Sequence, residues 1–370
     1  MSRLTVMQLL PALDSGGVER GTFEVAEALV KAGHRSLVVS AGGMLVAPLE
    51  ATGSQHFKLA LGSKSLRVLG TVRALRDLIA RNRVDILHAR SRLPAWVAVG
   101  ALKKLDPRPH FVTTLHGLNS VSRYSAVMTR GDRVIAVSES ARRYWLDHYA
   151  DLSPSRVKLI HRGIDPEVFR YGFQPEKEKR ERFLSQAGIL KERRLLMLPG
   201  RITETKGFGG FVNLIARLAV LGPDCHGVIV GDFKPGGTYQ ERLTERIRRL
   251  NVADRITFTG QRQDIRDLLA MADIVYSLST KPESFGRTAA EGLALGRPVI
   301  GYDHGGVGEV LGEIFPEGLV PLDDEVAVLE KTQQFLERAP EVPDRQPFLK
   351  SQMQDETLAL YQSLASSVST

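Results

Sequence analysis

At 370 residues the chain exceeds what one hydrophobic core usually serves, so two domains are expected. Its net charge of +8 is unevenly spread: residues 1–165 hold 24 Lys and Arg against 13 Asp and Glu, the remainder 26 against 29, which locates an anionic partner, if there is one, on the N-terminal half. No apolar run is long enough to span a membrane, residues 2–10 are too short for a signal peptide, and a single cysteine excludes an internal disulfide, which together point to a cytoplasmic protein.

Residues 4–10 read as a buried strand that turns at Pro11 to Gly17 into a helix reaching about residue 32. Val18, Phe23, Val25, Ala26 and Leu29 form its apolar face. Gly16 and Gly17 at this turn allow backbone to approach a ligand closely, with a plain tight turn as the alternative. Their spacing to Gly21 is not that of a dinucleotide fingerprint. Strands are expected next at 36–40, 84–88, 111–115, 133–137 and 157–160. Helices are expected at 65–81 and 95–104, and another after Ser138, a credible N-cap. Strand and helix in alternation mean a parallel sheet covered on both faces. His116 precedes Gly117 at a strand's carboxyl end, the edge where open α/β sheets bind ligands. His88 holds a similar position and has either an acceptor-side or a structural role. Gly163 and Pro166 suit a connecting loop, and the domain boundary is placed near residue 170.

The second half repeats the pattern. A strand at 195–198 leads through Arg201 and Lys206 into a helix at 208–221, so two cations flank a loop beside a helix N-terminus, a setting suited to a diphosphate. The glycine and lysine spacing there is not that of a P-loop. Strands at 226–230, 256–260 and 273–277 alternate with helices at 239–250 and 261–271, and Cys225 reads as a buried thiol. Glu283 then stands before a run of helix formers, with Ser284 as N-cap and the helix ending at Gly296. Glu291 lies slightly more than two turns further on, so the two carboxylates would meet different parts of one extended ligand. Residues 302–309 make a glycine-rich turn that can add backbone amides to a phosphate site. A last helix is expected at 352–365. No Asp-x-Asp loop, zinc-type cysteine cluster or nucleophile elbow is found.

Two glutamates with seven residues between them, in Pro-Glu-Ser-Phe-Gly and Glu-Gly-Leu-Ala-Leu-Gly-Arg-Pro-Val-Ile, resemble the signature of the retaining GT-B glycosyltransferases, and of their family four in particular. Ser15-Gly-Gly-Val-Glu-Arg, Thr-Leu-His116-Gly, His161-Arg-Gly-Ile-Asp-Pro and the Gly-Arg201 and Lys206-Gly pairs resemble that family's motifs in the same order, so the likeness covers nearly the whole chain. It implies two doubly wound Rossmann-like domains facing a cleft: residues 1–170 for the acceptor, 171–345 for the nucleotide sugar, and 346–370 as a helix packing back across the lobes. It further implies catalytic roles for Glu283, His116, Arg201 and Lys206, and substrate contacts from Gly16, Gly17, Arg201, Lys206, Glu283, Phe285, Gly286 and Glu291, with Glu291 on the ribose. Transfer would run from a UDP- or GDP-linked hexose to a glycan or lipid-linked acceptor, as in lipopolysaccharide core synthesis, without metal or other cofactor. A GT-B nucleotide-sugar epimerase and a non-catalytic nucleotide-sugar-binding partner are the alternatives.

The basic character of the first half has its own reading. Lys64, Arg67, Arg73, Arg76, Arg81 and Arg83, with Lys103, Lys104 and Arg108, suit either a solvated helix face or peripheral attachment to an anionic membrane. Nucleic acid is not expected, because no recognised binding motif or aromatic stacking pattern accompanies these charges.

Overall fold

The computed structural model describes residues 3–14, 16–62, 68–232 and 238–366. It divides into two compact units, Met1–Gly163 with Lys350–Thr370, and Ile164–Leu349.

Unit 1 runs β1 (Thr5–Leu9), α1 (Gly17–Lys31), β2 (Arg35–Ser40), α2 (Val46–Ala51), β3 (Gln55–Lys58), α3 (Val68–Asn82), β4 (Ile86–Ala89), α4 (Arg92–Leu102), β5 (His110–Leu115), β6 (Arg133–Ala136), α5 (Glu139–His148) and β7 (Val157–Leu159). All its strands are parallel, in the order β3-β2-β1-β4-β5-β6-β7. Alternate residues of each strand enter opposite cores, the consequence of a two-residue repeat. Met7, Leu9, Leu87, Phe111 and Val134 pack on one face with Leu75, Ala98 and Trp145 from the helices. Val6, Ile86, Val112 and Ile135 pack on the other, under Val25 and Leu29.

Unit 2 runs α6 (Lys177–Gln186), β8 (Arg194–Pro199), α7 (Phe208–Leu221), β9 (Cys225–Val230), α8 (Thr238–Arg249), β10 (Ile256–Phe258), α9 (Ile265–Met271), β11 (Ile274–Ser277), α10 (Arg287–Ala294), β12 (Val299–Tyr302), α11 (Gly305–Ile314), β13 (Leu319–Val320) and α12 (Glu325–Glu337). Its parallel sheet has the order β10-β9-β8-β11-β12-β13. Both sheets are therefore doubly wound, with the order reversing between β1 and β4 in one and between β8 and β11 in the other. At such a switch point the neighbouring connections diverge to opposite faces and leave a crevice outside the carboxyl ends.

The last helix, α13 (Lys350–Ser366), belongs to unit 1. Met353, Leu360, Tyr361 and Leu364 complete the core beneath α1, and Gln354 donates to the carbonyl of Glu24. Against the expected boundary at 170, the units part at Gly163 and Ile164. The physical reason is that Ile164 already pairs in a parallel bridge with Leu349 inside unit 2. Among the described residues no helix is long and apolar enough to cross a membrane.

Candidate functional site

In unit 2 the two connections that leave the switch point carry the expected charges. The β8 connection contains Arg201 and Lys206 and enters α7 through Gly207, while the β11 connection contains Glu283 and enters α10 through Gly286. Both glycines have left-handed backbone, φ 78° and 83°. A side chain on Gly207 would run into the backbone oxygen of Leu278, so only glycine lets the two connections touch here. The Thr280 amide donates to the Thr205 carbonyl at 2.9 Å, tying them together again.

This contact brings Lys206 and Glu283 together. The lysine Nζ lies 2.8 Å from Oε1 of Glu283, which also accepts from Ser279 Oγ at 2.5 Å. The Glu283 carbonyl accepts from the Gly306 amide at the start of α11. Three helix N-termini, of α7, α10 and α11, thus adjoin the two connections, each presenting a partial positive charge. Arg201 is exposed and has no ion-pair partner among the described residues.

The helix after Glu283 differs from expectation. It starts at Arg287, with Gly286 rather than Ser284 as N-cap, because the chain first makes a left-handed turn under Val307. Glu283 therefore sits on the loop, and the two-turn spacing to Glu291 does not describe their relation. Glu291 is buried in α10, where Arg287 Nε donates to its Oε1 at 2.9 Å. The Phe285 ring is buried edge-on to Phe348, 5.3 Å between centroids, so only the backbone of this residue is left for a ligand.

In unit 1 the corresponding switch-point connections hold Gly16, Gly17 and Arg90. Gly16 is the N-cap of α1 in extended backbone, and a side chain on Gly17 would meet open space. Ser15 lies outside the described residues. Arg162 donates to the Gly17 carbonyl, and its guanidinium fills the place that a side chain on Gly21 would take. Arg90 is buried and donates to Gln8 Oε1, whose amide nitrogen donates to the Thr22 carbonyl. His116 follows β5 at the same edge. Burial first, then the charges of Arg162 and Arg90, holds its pKa well below the usual histidine range, so the ring is neutral at pH 7.

His88 has the structural one of its two expected roles. Its ring is fully buried, with Nδ1 2.6 Å from Tyr361 Oη and Nε2 2.7 Å from Thr114 Oγ1. Sequence reasoning missed Arg90, Arg162 and Arg287. The first was open to detection as an arginine at a strand's carboxyl end, two residues after His88; the other two stood inside motifs whose neighbours drew the attention.

Among the described residues, the basic residues named for the first half are spread over several elements. Lys64 and Arg67 lie outside the described residues. Arg81 is in the last turn of α3, and Arg83, Lys103, Lys104 and Arg108 follow the carboxyl ends of α3 and α4, at the sheet edge opposite His116. Arg76 donates to the carbonyls of Ala101 and Gly100, and Arg108 pairs with Asp132 at 2.9 Å.

Comparison with known proteins gives the family. The model of glycosyl transferases group 1 matches residues 163–359, more than half of the chain, and that of Glycosyltransferase Family 4 matches residues 15–168. The chain belongs to the group 1 glycosyl transferases. Among curated relatives of this family member, the N-acetyl-alpha-D-glucosaminyl L-malate synthase of Bacillus anthracis is 28% identical over 268 residues, 69% of the chain and 63% of the relative. The lipopolysaccharide core biosynthesis mannosyltransferase LpsB of Rhizobium meliloti is 28% identical over 259 residues, 69% of the chain and 70% of the relative. The match thus spans somewhat under two thirds of the first relative's length. Among solved structures, a glycosyltransferase from Rickettsia africae aligns with TM-score 0.86 and 28% identity over 98% of the chain and 99% of its own. HepE of Anabaena in complex with UDP-glucose aligns with TM-score 0.78 at 21% identity, over 99% and 100%, and shares the fold. The two doubly wound units are those of the GT-B architecture.

Proposed function

We propose that the protein transfers a hexose from a UDP- or GDP-linked donor to a hydroxyl of a glycan or lipid-linked acceptor, with retention at the anomeric carbon, in the synthesis of lipopolysaccharide core or another cell-surface polysaccharide. The observation that carries this reading is the meeting of Lys206 and Glu283 at the β8–β11 switch point, with Arg201 on the same connection as the lysine. Cations and helix N-termini suit a diphosphate, and a carboxylate suits sugar hydroxyls. The names of two similar proteins support the donor and the pathway: one was solved with UDP-glucose, and the other acts in lipopolysaccharide core biosynthesis.

In this reading Arg201, Lys206 and the amino ends of α7 and α10 hold the diphosphate. Glu283 and the backbone of Phe285 and Gly286 hold the sugar, and Glu291 holds the ribose. Unit 1 takes the acceptor, with Gly16, Gly17 and a neutral His116 offering hydrogen bonds at its carboxyl edge. The acceptor oxygen bonds to the anomeric carbon as the bond from that carbon to the diphosphate oxygen breaks on the same face. The acceptor proton passes to the departing phosphate, whose charge Arg201 and Lys206 stabilise without a metal.

Unit 1 is also assigned contact with an anionic bilayer. Of its exposed large hydrophobics among the described residues, Met44, Val121 and Tyr124 lie in connections that leave the carboxyl ends of β2 and β5, and Leu69 is in the first turn of α3, the helix after β3. Arg92, whose guanidinium lies over the Tyr124 ring, and the exposed Arg123 add positive charge there. A donor screen read by product mass, against lipopolysaccharide-core acceptors, tests the reaction. Sugar transferred to an acceptor is expected; donor turnover without an acceptor product would favour an epimerase.

A further inference from the structure

Arg287 occupies the first position of α10 and meets Glu291 one turn later, Nε to Oε1 at 2.9 Å, with the two side chains only 18% and 8% exposed. Helix physics disfavours this choice three times. A cation in the first turn faces the positive end of the helix dipole. A basic residue placed N-terminal to its acidic partner is the weaker order for an i,i+4 pair. Enclosing the pair removes both charges from water, so that it contributes little to folding compared with apolar residues of similar size.

A pair so poorly placed for stability, between the connection bearing Glu283 and the buried Glu291, has a better account in the ligand. We propose that Arg287 is a positioning residue for the donor nucleotide: its guanidinium holds the Glu291 carboxylate in the rotamer that accepts hydrogen bonds from the ribose hydroxyls. The inference rests on the assignment of Glu291 to the ribose. A planar guanidinium fixes a carboxylate's orientation, whereas a lysine supplies charge without that geometry. Glutamate has three rotatable bonds, and an unheld side chain would pay for its ordering on each binding event.

The test is calorimetry on the full chain with UDP and GDP, and with the 2′,3′-dideoxy analogue of whichever binds. Arg287→Ala is expected to weaken the ribonucleotide about tenfold to a hundredfold, the range for losing a hydrogen bond to a charged group. It should leave the dideoxy analogue unchanged and add nothing to Glu291→Ala in the double variant. Arg287→Lys should recover only part of the loss. Equal weakening of both nucleotides, or additive losses, would overturn the proposal and make Arg287 a direct phosphate contact. Arg287→Gln, which keeps a donor and the side-chain length but no charge, serves if the alanine variant does not fold, with the same two outcomes. Unchanged affinity in Glu291→Ala, or no binding of either nucleotide by the native chain, would instead sink the ribose assignment itself.

Discussion

Glu283 and Glu291 differ in what surrounds them, and this sets different consequences for their loss. Glu291 is buried in a helix, and a ribose contact is the same in ground and transition states, so Glu291→Ala is expected to weaken nucleotide binding. Glu283 lies on a loop and is paired with Lys206, so Glu283→Ala should leave nucleotide affinity intact, with the lysine released to the diphosphate, while transfer slows. Calorimetry beside steady-state rates separates the two. Arg201→Ala and Lys206→Ala should each lower turnover by about two to three orders of magnitude, the scale for losing one preorganised charge stabiliser, and EDTA should leave the native rate unchanged. Loss of transfer in EDTA and recovery with magnesium would contradict this. Elsewhere in unit 2, burial and then the charge of Arg193 lower the pKa of His226 to about 4, and the ring bonds to Thr257 Oγ1 at 2.8 Å. The unfolded chain binds this proton near pH 6.5 and the folded chain does not, so the contribution is complete above pH 6.5 and is lost as the pH falls towards 4. Urea titrations over that range should show a decline of up to about 3 kcal/mol, which His226→Gln reduces.

At the level of elements, the site is made by short left-handed entries into helices, and their glycines are the weak points. Gly207→Ala and Gly286→Ala each force an L residue into a positive φ, a cost of about 1–2 kcal/mol before any contact is counted. The added carbon at Gly286 meets the Val307 side chain at 2.9 Å and its backbone at 3.0 Å, which a shift of a few tenths of an ångström relieves; at Gly207 it comes far closer to the Leu278 backbone oxygen, which cannot yield without parting the β8 and β11 connections. Gly207→Ala is therefore expected to be the more damaging, in the urea midpoint of unit 2 and in nucleotide affinity alike. Equal midpoints for the two variants would show that the connections tolerate separation.

For the whole molecule, the test concerns where the protein works. The surplus charge of unit 1, with Met44, Leu69, Val121 and Tyr124 exposed at its carboxyl edge, predicts reversible binding to anionic vesicles at low salt. Each basic residue near the surface contributes about 1 kcal/mol, and salt should release the protein. Sedimentation with phosphatidylglycerol and with phosphatidylcholine vesicles measures this, and Val121→Ser with Tyr124→Ser should reduce the bound fraction. Binding indifferent to lipid charge at low salt would leave a soluble acceptor as the better reading.

Much of the architecture was legible because its signals are local. Apolar strands such as residues 111–115, glycines at their ends and the amphipathic α1 and α7 declare themselves within a few residues, and Ser138 caps α5 as expected, accepting from the Ala141 amide. The short α2 and β3 escaped notice because six and four half-exposed residues carry no clear period. The charges of Arg201, Lys206 and Glu283 in the connections after strands were also readable, and Glu291 through the likeness of its motif to the family signature. What they touch was not. The Lys206–Glu283 pair joins residues 77 positions apart through a contact that depends on Gly207, and the order of strands alone makes β8 and β11 neighbours. The first turn of α10 was likewise settled by packing, since Val307 and the left-handed Gly286 delay its start to Arg287. Sequence by itself determined most of the elements and the residue types at their ends; tertiary structure alone decided the partners, because switch-point neighbours are set by strand order and not by distance along the chain.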